Sequence, residues 1–249
     1  MTDLLTSARA AGARRTVPRR GRRGRPRWPW LLVLLLGLAA GLGTPVVLDA
    51  QAAAQYPVSA GDLAAGRAAL GTLAVKGRAP RTGYDRDEFG PSWADVDRNG
   101  CDTRNDVLRR DLVDLTVKPG TQECVVLRGT LADPYTGETI AFTRGERSAD
   151  VQIDHVVALA DAWQKGAQRW TDEKRRQFAN DPANLLAVDG SANQSKGAGD
   201  AATWLPPNTG YRCAYALRQT AVKAGYGLWV TQAEHDALAR AIDRCVVAG

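Results

Sequence analysis

Asp154 and His155 stand side by side in the chain, a carboxylate next to an imidazole. That pair offers a ligand for a hard cation beside a general base that works near neutral pH. The chain holds two histidines, and the second, His235, falls on a polar face of the last expected helix, so base chemistry near pH 7 points to His155. Alone, an Asp-His dipeptide is a weak signal, because most such histidines are satisfied structural groups. A second stretch adds to it. Asn184-Leu185 is followed by Asn193 nine positions on and then by Lys196-Gly197. Amide oxygens can ligate a divalent cation, and an amine can meet a phosphate or cover a helix surface.

These residues need elements to hold them. Neighbours in a strand point to opposite faces, so Asp154 and His155 share a site only at a bend or a strand end. The alternation of Val151, Ile153 and His155 predicts a strand over 151–157. Helices are expected over 158–165 and 171–179, the second capped by Thr171 with Asp172 and Glu173 in its first turn. A short strand over 185–188 then leads, through Asp189 or Ser191 as cap, into a helix ending at Lys196. Asp200 could cap another helix around Trp204. Upstream, a helix over 105–112 precedes β-rich runs at 112–117, 123–131 and 138–143. Lys118-Pro119-Gly120 and Asp133-Pro134-Tyr135-Thr136-Gly137 separate these runs and predict turns of a small antiparallel sheet. Downstream, a helix over 211–224 is followed by Thr231-Gln232-Ala233-Glu234, which reads as a capping box. Asp95, Asp97 and Asn99 alternate as calcium ligands do, but the glycine and distant glutamate of such a loop are missing, so a structured turn is expected there.

Net charge does not by itself argue for nucleic acid. The formal charge is +6, yet nine of the 33 basic and two of the 27 acidic residues lie in residues 1–54. From residue 55 onward 24 basic residues face 25 acidic ones. The arginine-rich run, the uncharged stretch over residues 28–48 and the small-residue sites around Ala50–Ala54 follow the order of an export signal. An uncleaved anchor through residues 28–48 is the rival reading. Both put the following domain outside the cytoplasm, secreted or membrane-anchored. Residues 55–80 read as a stalk or edge helix, and 81–249 as one domain. Cys101, Cys124, Cys213 and Cys245 include no Cys-x-x-Cys pair, and an oxidising compartment makes two disulfides the natural reading. Pairing within each local segment favours Cys101–Cys124 and Cys213–Cys245, each contributing about 3.5 kcal/mol by loop closure.

In order, Asp154-His155-Val156-Val157, the strand opening Asn184-Leu185 and the helix holding Asn193-x-x-Lys196 resemble the HNH endonuclease motif. Trp163, Gly166, Trp170 and the chain from Tyr84 on resemble exported bacterial HNH-family proteins related to the nuclease domain of the GmrSD restriction enzyme, over residues 81–246. The resemblance implies an α+β fold with a ββα-metal (HNH, or His-Me finger) core, a small antiparallel sheet and flanking helices. It implies an endonuclease hydrolysing phosphodiester bonds in DNA, with RNA as the open alternative, and with little sequence preference. His155 would be the general base, Asn184 would hold its loop or ring, and Asp154 and Asn193 would carry one divalent cation. Mg²⁺ is the first choice, with Mn²⁺ or Ca²⁺ as alternatives. Lys196 and Arg147 would contact substrate, and Arg144 could touch the backbone with it. Asp189 and Ala192 stand where many HNH proteins carry a cysteine pair, so no structural zinc is expected. Two other readings stay open: an extracellular nucleic-acid-binding module that keeps the fold without catalysis, and a stapled surface domain that binds protein or cell wall.

Overall fold

The computed structural model describes residues 55–247. The expected export signal or anchor over residues 28–48 therefore lies outside the described residues. The described chain is of mixed α+β type. Helix α1 (Ala60–Thr72) starts at Ser59, whose hydroxyl accepts the Asp62 N–H, and buries Leu63 and Leu70. Helix α2 (Thr103–Asp111) starts at Asp102 and leads straight into strand β1 (Leu112–Val117). Strands β2 (Val126–Ala132) and β3 (Thr139–Thr143) complete an antiparallel meander in the order β1-β2-β3.

The second sheet holds only β4 (Val151–His155) and β5 (Leu185–Asp189), antiparallel, with His155 opposite Leu185 and Val151 opposite Asp189. Between them run α3 (Leu159–Gln164) and α4 (Asp172–Ala179). Helix α5 (Gly190–Lys196) follows β5 directly, and α6 (Arg212–Tyr226) and α7 (Gln232–Ile242) close the chain. One apolar core joins the two sheets: Val107, Leu108 and Leu112 meet Val126, Leu131, Phe142, Val151, Ile153 and Leu185. Another gathers Leu63 and Leu70 of α1 with Ala216, Leu238 and Ile242 of the last two helices. Disulfides join Cys101 to Cys124 and Cys213 to Cys245. The first ties the loop before α2 to the entry of β2, and the second ties the start of α6 to the residues after α7. Asp95 and Asp97 accept the Asn99 and Gly100 N–H groups, so these carboxylates close a turn.

Three local expectations give way to tertiary contacts. Strand β4 stops at His155, short of Val157, because Asn184 takes the next two N–H groups: its carbonyl accepts from Val156 and its side-chain oxygen from Val157, both at 2.8 Å. No helix forms around Trp204. Asp200 accepts the Ala202 N–H within a turn, while its other oxygen meets Lys165 at 2.8 Å and Arg78 at 2.5 Å. At Thr231 half of the capping box forms. The Thr231 hydroxyl accepts the Glu234 N–H, but the Glu234 carboxylate does not turn back to the cap. It lies fully buried, 2.6 Å from the ammonium groups of both Lys165 and Lys223.

Those two lysines complete a buried network. Lys165 also meets Asp161 at 2.5 Å, and Lys223 meets Asp161 at 2.7 Å. Counting Arg78, three cations balance three carboxylates, which is the condition for burying charge at tolerable cost. Burial works to raise the Asp161 and Asp200 pKa values, but the lysines around them outweigh it and hold both below the usual carboxylate range. Burial likewise works against the Lys223 ammonium, and Asp161 and Glu234 reverse it and hold the pKa above the lysine range.

Removing one partner leaves the others buried and uncompensated. Glu234→Ala is expected to destabilise the fold by about 3–5 kcal/mol, read as a lower denaturant midpoint in urea unfolding. The pH dependence follows from the same shifts. The carboxylate contribution is complete above the unfolded-state range of about 4 and is lost as pH falls towards the depressed folded values. The Lys223 contribution is complete below about 10 and is lost only as pH rises through its elevated folded value. Thermal midpoints should therefore form a plateau between those limits and fall on the acid side, with a smaller acid fall in Asp161→Asn.

Candidate functional site

His155 is the last residue of β4, and a strand end is what the adjacent pair needed. Asp154 and His155 line one cleft of about 280 Å³ together with Asn193, Arg81, Tyr84 and Arg86. The His155 ring is buried, and its Nε2 lies 2.8 Å from the Ala179 carbonyl at the end of α4. A carbonyl can only accept, so Nε2 carries the proton and Nδ1 is the basic nitrogen. Burial pushes the imidazole down to about 4 against the opposing pull of that carbonyl, so the ring is neutral at physiological pH. Trp93 lies nearly parallel to it, with an interplanar angle of 14° and ring centres 6.2 Å apart. A neutral imidazole with one nitrogen anchored and the other unprotonated is equipped to accept a proton.

Asp154 is held from two sides. Its Oδ1 accepts from the Lys196 ammonium at 2.9 Å, and its Oδ2 accepts from the Tyr135 hydroxyl at 2.5 Å. Each carboxylate oxygen offers about two lone pairs, so both keep capacity for a further partner. Tyr135 is fully buried, and burial followed by the Asp154 charge raises its pKa well above the tyrosine range, keeping the hydroxyl a donor. It comes from the turn between β2 and β3. Asp133 in the same turn accepts the Asp189 N–H at 3.0 Å, which pins that turn to the far end of β5.

Helix α5 starts close against the turn that leads into β4. A Cβ at Gly190 would meet the Ala149 carbonyl oxygen at 2.2 Å, so only glycine allows this approach. Asp189 caps the helix by accepting the Ala192 N–H, and Asn193 then faces the cleft one turn in. The Asn193 amide nitrogen donates to Gln152 Oε1 at 2.9 Å, which fixes the amide plane and leaves its oxygen for another partner.

The remaining expected residues are elsewhere. Lys196 was expected at a phosphate or on the helix surface. Its ammonium is instead buried between Asp154 Oδ1 and the His155 carbonyl, at 2.9 and 2.8 Å, because a cation sealed behind β4 needs the nearest anion. Asn184 does not touch the imidazole. It bonds both backbone groups of Val157, at 2.8 and 3.3 Å, and so holds the loop that leaves His155. Arg147 is exposed, pairs with Asp150 at 2.8 Å and does not line the cleft. Arg144 reaches the Val126 carbonyl and Asn105 and so braces the sheet. Tyr135, Trp93, Arg81 and Arg86 were not singled out by sequence reasoning. Only Tyr135 left a trace, as a large aromatic in a turn otherwise made of turn formers.

Among the described residues no group of three or more His, Cys, Asp or Glu side chains is placed to hold a metal ion. A cation here would have one carboxylate and one amide oxygen from the protein. That donor set fits a hard, strongly hydrated ion that keeps several waters and adds phosphate oxygens, as Mg²⁺ does.

Comparison with known proteins places this architecture. Residues 102–241 match the family described as GmrSD restriction endonucleases, C-terminal domain. A protein of the fungus Arthroderma benhamiae, described as an uncharacterized secreted protein, is 36% identical over 208 residues, covering 83% of this chain and 97% of the relative. Relatives are therefore not confined to the exported bacterial proteins that the sequence suggested. No solved structure matches. The matched segment contains both sheets, the cleft's β4 and β5 and helix α5, and on that evidence the chain belongs to the GmrSD C-terminal domain family.

Proposed function

We propose that this protein is an extracellular, metal-dependent endonuclease of the HNH type that hydrolyses phosphodiester bonds, with DNA as its favoured substrate. The observation that carries the reading is the His155 ring: neutral, anchored through Nε2 to the Ala179 carbonyl, and sharing a cleft with Asp154 and Asn193. The order β4, β5, α5 supports the reading as a ββα unit, with the candidate residues at the end of its first strand and in its helix. Membership of a family described by its restriction endonucleases supports nucleic acid as substrate. The secreted relative supports an extracellular location. Among the described residues no helix is long and apolar enough to cross a membrane.

In this reading His155 Nδ1 takes the proton of the water that attacks phosphorus. Ala179 fixes the ring, and Asn184 fixes the loop that follows it. Asp154 and Asn193 would hold one Mg²⁺, with Lys196 and Tyr135 orienting the carboxylate. When bound, the ion would neutralise charge on a non-bridging phosphate oxygen and on the leaving oxygen. The rival reading, a nucleic-acid-binding module without catalysis, draws on the Lys196 ammonium, which already neutralises the carboxylate a cation would need.

The full chain, produced with its disulfides intact, is expected to nick and linearise supercoiled plasmid with Mg²⁺ and to leave it intact in EDTA. His155→Ala should lower the rate by about 10²–10⁴-fold, the usual worth of a general base, while the variant stays folded by circular dichroism at the assay temperature with a modestly lower thermal midpoint, because a buried, hydrogen-bonded ring is lost. Asp154→Asn should weaken Mg²⁺ binding in calorimetry as well as cutting. A folded wild type that cuts neither plasmid nor RNA with Mg²⁺, Mn²⁺ or Ca²⁺ would sink the catalytic reading in favour of the binding module. Lys196→Met strips the partner from a buried carboxylate and should destabilise the fold by roughly 3–5 kcal/mol in urea unfolding. An unchanged midpoint would mean that Asp154 does not depend on its lysine.

A further inference from the structure

The cleft has a wall that none of the expected site residues accounts for. Arg81, Tyr84 and Arg86, all from one short segment before α2, line it together with Asp154, His155 and Asn193. Arg86 also lines the small adjoining cavity that reaches His155, Trp93 and Asn180, so it borders both openings onto the imidazole. Among the described residues no hydrogen bond or ion pair engages the Arg86 guanidinium. Its acidic neighbours in sequence face other tasks. Asp85 caps the short turn Arg86–Phe89, Asp87 lines a separate surface with Glu173 and Arg176, and Glu88 pairs with Arg175 on α4. The one carboxylate in the cleft, Asp154, is already matched by Lys196 behind it. The cleft therefore presents two uncompensated guanidinium groups and a neutral imidazole to whatever enters.

The wall is rigid enough to act. Tyr84 packs edge-on against Phe89 and Trp163, with ring centres 6.4 and 6.0 Å apart, and Phe89 is fully buried. Arg81 lies over the Tyr84 ring at 4.8 Å, which fixes its stem while leaving its donors free. A planar guanidinium presents paired donors that match the oxygens of a phosphodiester. The rest of the lining is Ile153, the Ala158–Ala160 run and the small residues Gly197 and Ala198, and it offers no side-chain pair suited to reading a base edge.

We propose that Arg86 is the clamp on the phosphate to be cut and that Arg81, braced on Tyr84, holds a neighbouring phosphate, so that the protein recognises a nucleic-acid strand by its backbone and not by its bases. The inference rests on the nuclease reading of the cleft and adds its substrate contacts. Two guanidiniums tracking successive phosphates make binding steeply salt-dependent and indifferent to sequence.

Binding is measured apart from cutting. The full chain is titrated into a short fluorescent single-stranded oligodeoxynucleotide in EDTA, at several salt concentrations and with three unrelated base sequences. The three sequences should bind within roughly threefold of one another, as backbone contacts carry no sequence information. Arg86→Ala should weaken binding about tenfold and reduce the slope of log K against log salt by about 0.7, one phosphate contact on a single strand. Arg81→Ala should reduce that slope by a similar amount. Arg86→Lys should keep most of the slope and, with Mg²⁺ and plasmid, lose about tenfold in rate, because a point charge does not reproduce the fork. The Arg86 variants should keep the wild-type thermal midpoint, and Arg81→Ala should lower it only slightly, through loss of the contact with Tyr84. Equal affinity and slope in wild type and Arg86→Ala would overturn the clamp, whether or not plasmid is cut. Arg86-dependent binding without any cutting would support the clamp and sink the nuclease reading. A wild type that binds no oligonucleotide would overturn the clamp, and cutting of plasmid with Mg²⁺ would then decide the nuclease reading by itself.

Discussion

The buried network of Asp161, Lys165, Asp200, Lys223 and Glu234 is the constraint from which the rest of the fold follows. Its members come from α3, the loops after α3 and α5, α6 and α7, and Arg78 closes it from the N-terminal side. Such a cluster is tolerable only when every partner arrives, so it sets the relative positions of four helical segments at once. Two of those segments begin at the cleft. Asp161 lies just past the loop that leaves His155, and Asp200 just past the helix that carries Asn193. The network thus fixes the far ends of both arms of the site.

A second, smaller cluster fixes the near ends. Lys196 joins α5 to Asp154 and to the His155 carbonyl, Tyr135 joins the β2–β3 turn to the same carboxylate, and Asn184 bridges β5 to the loop after β4. The three-stranded sheet that looks peripheral to the cleft therefore has a role there: it delivers Tyr135. Lys196, which sequence reasoning assigned to substrate or to the helix surface, serves instead to hold Asp154 and the backbone of His155. The groups left facing the opening are the neutral imidazole, the Asn193 amide and two unpaired arginines. The chemistry on offer and the anion it suits both come from that division.

Much of the local structure was legible. Thr171, Asp189 and Thr231 cap the helices they were expected to cap, the two turn sequences do separate the strands of the meander, and the cysteines pair within their own segments. Each of those is a short-range matter, settled by side chain-to-backbone bonds over a few residues or by closure of a short loop. The errors share a cause as well. Glu234 fits a capping box, Asp200 a helix start and Lys196 a solvated helix end, and in each case a buried charge from a distant part of the chain claims the side chain.

By itself, then, the sequence determined most of the element order and the punctuation between elements, favoured the disulfide partners that form, and singled out the base candidate, since only His155 among two histidines sits in a strand with an acidic neighbour. The tertiary structure decided what each polar group faces. It ended β4 at His155, so that the residue and Asp154 share one cleft, turned Lys196 inward, brought Tyr135 from the meander to Asp154, and set Arg81 and Arg86 in that cleft. The physical reason is that backbone bonds and turns saturate within a few residues, whereas a buried charge must find its counter-charge wherever the folded chain supplies one, at separations no local pattern records.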